Sequence, residues 1–490
     1  MSKFPRRIFF RKAGWGIFTI SFLTQSPVFA RLRRALFPQS VDERVFFTTG
    51  YKISEVTDST AMVWTRLCRQ EHPNPIRHER EEKVFRHPID FDENQPVAQM
   101  DGGVESGPGF VRVKAYAGAD KIVSPWVQVF QRDDFTARIP LEGLKPGTTY
   151  RIELIGKPNV NGSVTVAEAN FTTSPLPEST VPILVTTSTC QYFWSFDDPD
   201  RGFKTYDSMR RLNPDFFIQT GDYVYYDKPG PLAKGLEKAR HKWRAMDGWQ
   251  SIKDLYKHVP IYMLKDDHDL LKDDAHPQSS PYGELSYLEG LKLWYENVPI
   301  VGKPYRTFRK GKDLQIWLVE GREYRSPNDD PDRVGKSIWG EEQIAWFKRT
   351  VEESDATFKL LFTATPVVGP DRDNKKDNHA NKVYETEGNW LREYLSKIDH
   401  MYVVNGDRHW QYVSKDEETG LIEFGSGPIS DCHAQGWDPD DKRPEHRFLR
   451  VKGGFLSIQV ARENGVPGIR FTHRDVDGNP THEEYFTKHS

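Results

Sequence analysis

From residue 183 onward, short apolar runs alternate with stretches of helical periodicity. The runs are Ile183-Leu184-Val185, Phe216-Phe217-Ile218, Ile261-Tyr262-Met263-Leu264, Leu314 to Val319, Leu360-Leu361-Phe362, Met401 to Val404 and Leu421-Ile422-Glu423-Phe424. Each is too short for a helix and lacks polar alternation, as expected of strands covered on both faces. Between them, Ile344, Phe347 and Val351 fall on one helical face, and Trp390, Leu391, Tyr394, Leu395 and Ile398 on another. Strands buried on both sides and joined by amphipathic helices stack as layers. The predicted architecture is therefore α/β, a layered β-sandwich flanked by helices.

Five of these runs, expected on successive strands of one sheet, end in reactive residues. Ile183 to Val185 leads to Ser188-Thr189-Cys190-Gln191, and Phe216 to Ile218 leads to Gly221-Asp222 and Tyr225. Ile261 to Leu264 leads to Lys265-Asp266-Asp267-His268-Asp269. Leu314 to Val319 leads to Gly321-Arg322-Glu323, and Met401 to Val404 leads to Asn405-Gly406-Asp407-Arg408-His409. Taken singly, each has a plain structural reading: Gly-Asp is a turn, the acidic run an N-cap, the cysteine a small buried hydrophobe, the arginines surface ion-pair partners. Taken together, they bring carboxylate, imidazole, thiolate and phenolate groups to the carboxyl ends of strands, where open α/β sheets bind ligands. That donor set describes a polynuclear metal site. Asp222 has two oxygens with which to bridge two cations, and Tyr225 adds a phenolate. Hard oxygen donors suit Ca²⁺, Mg²⁺ or Mn²⁺, whereas thiolate and imidazole suit Fe or Zn. The neighbouring arginines suit a phosphate.

The preceding third of the chain has a different pattern. Short segments such as Arg44 to Thr48, Ala61 to Thr65, Phe110 to Tyr116, Val127 to Phe130 and Thr136 to Ile139 read as strands with no helical period. Leu141-Glu142-Gly143-Leu144-Lys145-Pro146-Gly147-Thr148-Thr149-Tyr150 resembles the tyrosine corner of fibronectin-type sandwiches. Residues 41–173 are thus expected to form an all-β, fibronectin/Ig-like sandwich, and residues 178–490 the catalytic domain, with Thr172 to Pro177 as linker. His72 to Pro108 is polar and rich in charge, as in a long insertion or mobile loop.

At the start, Lys3, Arg6, Arg7, Arg11 and Lys12 precede an apolar stretch from Ala13 to Leu23, and Val28-Phe29-Ala30 offers a cleavage point. Residues 1–30 read as a secretory signal peptide too short to span a bilayer, so the mature chain is expected to have no transmembrane helix. Arg6-Arg7 before Ile8-Phe9 resembles a twin-arginine signal, which makes the twin-arginine export machinery an expected partner. An ordinary signal peptide and an uncleaved anchor stay open. The destination is the periplasm, the cell surface or the medium. A net charge of −3 with no basic block excludes a nucleic-acid footprint. Three cysteines make no disulfide scaffold, although Cys68 and Cys432 can pair in an oxidising compartment.

In combination, the strand-end motifs, the Val63-Trp64-Thr65-Arg66 strand and the twin arginines resemble the alkaline phosphatase D family, the PhoD-like metallophosphatases of the calcineurin-like metallophosphoesterase superfamily. The resemblance covers nearly the whole mature chain. It implies an exported phosphate-ester hydrolase in which a metal-bound hydroxide attacks phosphorus. It also implies Fe³⁺ and Ca²⁺ as cofactors, while the donor chemistry alone leaves Zn²⁺ or Mn²⁺ open. By the same resemblance, Cys190, Asp222, Tyr225, Asp267, Asp407 and His409 are metal ligands, with Asp222 bridging. His268 is the catalytic histidine and Arg322 a phosphate-side arginine. Glu423 matches a distal carboxylate on a loose local pattern. Lys265 stands where the family commonly has Trp, and Glu320 where it has Asp. Asp269, Asp273 and Asp274 are either calcium ligands or solvated. Two other readings stay open: a phosphodiesterase acting on wall polymers, phospholipids or nucleotides, and a cell-surface binding protein with a vestigial metal site.

Overall fold

The computed structural model describes residues 44–83 and 85–489. The predicted signal peptide lies outside the described residues. Two small sheets come first. One has the order Tyr51–Ser54, Thr60–Arg66, Thr136–Glu142. The other runs Asp120–Val123, Gly109–Ala117, Thr149–Lys157, Thr165–Thr172, with Val127–Val129 also pairing Gly109–Ala117. Alternate residues point inward, so Val111, Val113 and Ala115 meet Ile139, Leu141, Ile152 and Leu154 in one apolar layer. The backbone N–H of Lys145 donates to the Tyr150 hydroxyl at 2.9 Å, the bond expected of a tyrosine corner.

One expectation for this region changes: Arg44 to Thr48 makes no strand, and only Phe46 bridges, to Cys68. The described residues of 72–108 have little regular structure but are hydrogen-bonded to the rest of the chain. Arg80 donates to the carbonyls of Trp194 and Phe196, and Glu93 accepts from the N–H groups of Gly230 and Leu232. The linker is tied down as well. Buried Lys310 donates to Val56 O, Ser174 Oγ and the Tyr262 hydroxyl at 2.9, 2.8 and 2.7 Å. Burial brings the Lys310 ammonium down to a pKa of about 7.

The predicted apolar runs all become strands of a two-sheet sandwich, and the five that end in reactive residues, expected on one sheet, divide between the two. The six-stranded sheet has the order Ile261–Leu264, Phe216–Thr220, Ile183–Ser188, Phe455–Glu463, Val466–Arg474, Pro480–Thr487. The seven-stranded sheet has the order Arg306–Lys310, Leu314–Leu318, Phe358–Thr363, Met401–Asn405, Ile422–Ser426, Gln411–Lys415, His446–Arg450. The sheets pack face to face, with Val185, Ile218 and Leu264 opposite Ile316, Leu360, Phe362 and Val404. Phe424 of one sheet stacks on Phe471 of the other at 3.9 Å between centroids.

The outer faces carry the helices, which accounts for the absence of polar alternation in the strands. Phe217, Ile261 and Met263 pack under helices Lys204–Leu212, Leu236–Asp247, Gln250–Tyr256 and Tyr287–Asn297. Trp317, Leu361 and Val403 pack under Gly340–Glu352 and Glu385–Ser396. Among the described residues no helix is long and apolar enough to cross a membrane.

Candidate metal centre

The carboxyl ends of Ile183–Ser188, Phe216–Thr220 and Ile261–Leu264 meet that of Met401–Asn405 from the facing sheet along one rim. Contact there is close. A Cβ on Gly406 would lie 2.3 Å from Thr220 O, and one on Gly221 (φ 105°) would lie 2.7 Å from Asp266 Cβ. That closeness explains a glycine before each aspartate. Thr189 stitches the rim: its Oγ1 accepts from Asp407 N at 3.2 Å and donates to Gly221 O at 3.2 Å. Cys190, Asp222 and Asp407 all have left-handed backbones, with φ of 47°, 57° and 61°. Such conformations cost on the order of 1–3 kcal/mol each in a non-glycine residue and persist where surrounding structure holds them. Here they turn three side chains off their strands and over the rim.

One group of donors gathers around Asp222. Its Oδ2 lies 2.8 Å from the Tyr225 hydroxyl and 3.4 Å from Cys190 Sγ. The same hydroxyl is 3.3 Å from His409 Nε2 and 3.0 Å from His433 Nε2. Cys190, Asp222 and His409 offer ligand atoms within 4.8 Å of one another. A second group is mostly oxygens: Asp222 with Asp266 and Asp407, and Asp222 with Asp267 and the imidazole of His268, each set again within 4.8 Å. Asp222 belongs to both groups, and its Oδ1, fully buried, has no hydrogen-bond partner among the described residues.

The electrostatics call for cations. Burial pushes the Cys190 thiol, the Asp222 carboxyl and the Tyr225 hydroxyl well above their ordinary values, and their negative neighbours push further in the same direction. Burial also brings Asp407 up to about 6. Burial and His433 hold His409 well below 6.5, so its imidazole is neutral and free to ligate. His268 favours the charged form of Asp222 and Arg408 that of Asp407, and a metal cation would add further opposing charge. The donors fit that role. Thiolate, phenolate, imidazole and carboxylate suit Fe or Zn on one side, and clustered carboxylates suit Ca²⁺, Mg²⁺ or Mn²⁺ on the other.

His268 donates or accepts through Nδ1 at 2.8 Å from Asp227 Oδ1, and its ring lies 4.4 Å from that of Tyr225. Burial works against its charged form, but Asp227, Asp267 and Asp222 outweigh it and raise the imidazole well above 6.5. Arg322, expected to face phosphate, is instead fully buried. Its guanidinium bonds Asp266, bonds Asp377 at 3.0 Å and lies 3.7 Å from Asp267. It braces the carboxylates behind the rim. Lys265 and Glu320, the two departures from the family pattern, are each other's partners at 2.6 Å. Glu323 is 2.5 Å from the same ammonium, which lies over the Trp294 ring.

Asp269, read as a calcium ligand or a solvated carboxylate, is buried, and its oxygens accept from the N–H groups of Asp222, Tyr223, Val224 and Asp266 at 2.7–3.0 Å. Glu423 is likewise occupied, by the N–H groups of Val367, Val368 and Gly369 and by the Tyr412 hydroxyl. Cys68, Cys190 and Cys432 are all free thiols. The Asp269 staple makes a prediction. In metal-free protein, Asp269→Ala should lose roughly 3–5 kcal/mol in urea unfolding, since buried N–H groups left unpaired cost about 1–3 kcal/mol each. A loss under about 1 kcal/mol would show that water or local relaxation replaces the staple.

Sequence reasoning missed Asp227, Asp266, Asp377 and His433. Asp227 stands two residues after Tyr225, in a stretch already marked out. Asp377 follows the strand Phe358–Thr363, whose end shows no adjacent motif, and joins Asp267 and Asp274 in a further acidic group that Lys375 borders at 3.5 Å from Asp274.

Solved structures share this arrangement. A structure of PhoD covers 92% of this chain and 92% of its own, with a TM-score of 0.69 at 15% identity. Purple acid phosphatase PPD1 from yellow lupin seeds covers 89% of this chain and 74% of its own, with a TM-score of 0.60 at 10% identity. At these identities the likeness is one of fold. No curated protein sequence matches the chain. A double-sheet sandwich flanked by helices is the fold that this chain shares with both structures. More narrowly, the profile of the PhoD-like phosphatases matches residues 184–476, and the chain belongs to that family of phosphoesterase hydrolases.

Proposed function

We propose that the protein is an exported hydrolase of phosphate esters that works with a ferric ion and calcium. The observation that supports this best is Asp222. It is buried between a thiol–phenol–imidazole group and a carboxylate group, with one oxygen unpaired. Cys190, Asp222, Tyr225 and His409 would hold the iron. Asp222, Asp267 and Asp407 would hold the calcium, with Zn²⁺ or Mn²⁺ as the alternatives that the donors also accept. Bound there, such cations polarise phosphoryl oxygens and lower the pKa of a water.

The chain's own residues do the rest. The rim residues orient the ester. His268, held by Asp227, delivers a proton to the leaving-group oxygen. Arg322 is a positioning residue that keeps Asp266 and Asp267 in place.

The test is metal content together with turnover on a panel of phosphate monoesters and diesters, using protein purified in its exported form. Tyr225→Phe should abolish a visible charge-transfer band. A metal-free wild type without turnover would sink the reading, and turnover by a colourless, zinc-loaded wild type would reassign the metal. Preference within the panel decides between phosphatase and phosphodiesterase. Export through the folded-protein route is motivated by Arg6-Arg7. Replacing both with lysine should leave precursor in the cytoplasm, and normal export of that variant would exclude the route.

A further inference from the structure

His433 is fully buried against the donor group. Its Nε2 lies 3.0 Å from the Tyr225 hydroxyl, and its ring is 4.4 Å from that of His409 and 5.2 Å from that of Tyr225. Its other nitrogen, Nδ1, is buried with no hydrogen-bond partner among the described residues. A neutral imidazole has one N–H to place. Placed on Nε2, that proton lies in a hydrogen bond with the tyrosine oxygen; placed on Nδ1, it has no acceptor.

The turn that presents His433 is braced from several sides. His433 N–H donates to Ser430 O at 3.1 Å, and Ser430 Oγ accepts from Cys432 N at 3.1 Å. Asp431 Oδ1 accepts from Gly453 N at 2.9 Å. Phe85 comes from the pinned 72–108 segment. Its N–H donates to Cys432 O at 3.1 Å, and its ring packs 4.6 Å from that of His433. Phe85 itself has a left-handed backbone, φ 59°, a conformation that a bulky residue keeps only where its surroundings hold it.

We propose that His433 is a positioning residue, which donates a hydrogen bond from Nε2 to the phenolate oxygen of Tyr225 and so sets how strongly that oxygen binds its metal. The inference rests on the reading of Tyr225 as a ligand. Partners of this kind orient metal ligands, and their loss typically weakens metal affinity about 10–100-fold. A donor on the phenolate oxygen also draws charge from it, which raises the energy of phenolate-to-metal charge transfer.

The test compares His433→Phe and His433→Gln with wild type in the full chain, by chelator competition and by visible absorption. His433→Phe should bind metal about 10–100-fold more weakly, and any charge-transfer band should move to longer wavelength. The glutamine amide can still donate, so His433→Gln should recover part of both. His433→Asn, too short to reach Tyr225, stands in if His433→Phe does not fold. Wild-type affinity and an unmoved band in His433→Phe would overturn the inference, as would a glutamine variant no better than the phenylalanine one. Complete loss of one metal from every variant would also overturn it, by making His433 a ligand. These outcomes leave the reading of the centre standing, whereas a wild type that binds no metal removes both.

Discussion

Asp222→Asn should lose its metal and its turnover together. The change keeps shape and volume and removes one negative charge. Asp222 is the one residue shared by both donor groups, so that charge faces both cation positions. Two cations a few ångströms apart repel strongly in a low-dielectric site, and a carboxylate between them offsets much of that repulsion. The asparagine also carries a donor amide, which points an N–H toward a cation or toward the Tyr225 oxygen at 2.8 Å. Metal analysis after gel filtration, alongside turnover, should show both falling to the background of the apoprotein. Full metal stoichiometry with wild-type rate would refute the bridging role. The fold itself should survive, since Asp269, not Asp222, ties the two loops together.

His268→Ala separates chemistry from ligation. Asp227 holds Nδ1 at 2.8 Å, which leaves Nε2 to face the leaving group. In the proposed mechanism this residue is the proton donor. Loss of a general acid typically costs about 10²–10⁴-fold in rate. The variant should keep its metals and melt near wild type while turnover falls by that order. The loss should shrink for esters with an acidic leaving group, such as a nitrophenol, which departs without protonation. Metal lost in proportion to activity would instead make His268 a ligand, consistent with its place beside Asp222 and Asp267. Unchanged activity would leave it as a buried ion-pair partner of Asp227.

The seven strands marked by apolar runs were legible because they are short and almost wholly buried, whereas Arg306–Lys310, His446–Arg450 and Pro480–Thr487, with exposed or half-buried positions, gave no such run. Which sheet each strand joins was not legible. Ile261–Leu264 is followed by Arg306–Lys310 and Leu314–Leu318 on the facing sheet, and Phe455–Glu463 returns from far along the chain to pair with Ile183–Ser188. Hydrophobic period gives an element's type and its buried faces but carries no signal for so distant a partner.

The same limit explains the site. Residues close behind a strand, such as Cys190, Asp222 and His268, stand out by position. Asp377 and His433 come from loops that fold back, and only the tertiary structure brings them to the rim. For His433 a signal did exist: Ser430-Asp431-Cys432-His433 follows the seventh apolar run. Arg322 shows the converse. Its position marked it as important, but sequence could not tell whether its guanidinium faces substrate or carboxylates.

The Lys265–Glu320 pair bears on how this chain can diverge from its relatives. The ammonium and Glu320 carboxylate are almost wholly buried, so removing either strands a charge that costs roughly 3–5 kcal/mol. An exchange of Lys265 for Trp alone would leave Glu320 and Glu323 facing each other without a counter-charge. The three positions therefore form an epistatic block. A single exchange within it strands a buried charge, so the energetics favour joint substitution. A chimaera that imports the family's usual residue at Lys265 should fold only when the acidic partners are exchanged with it.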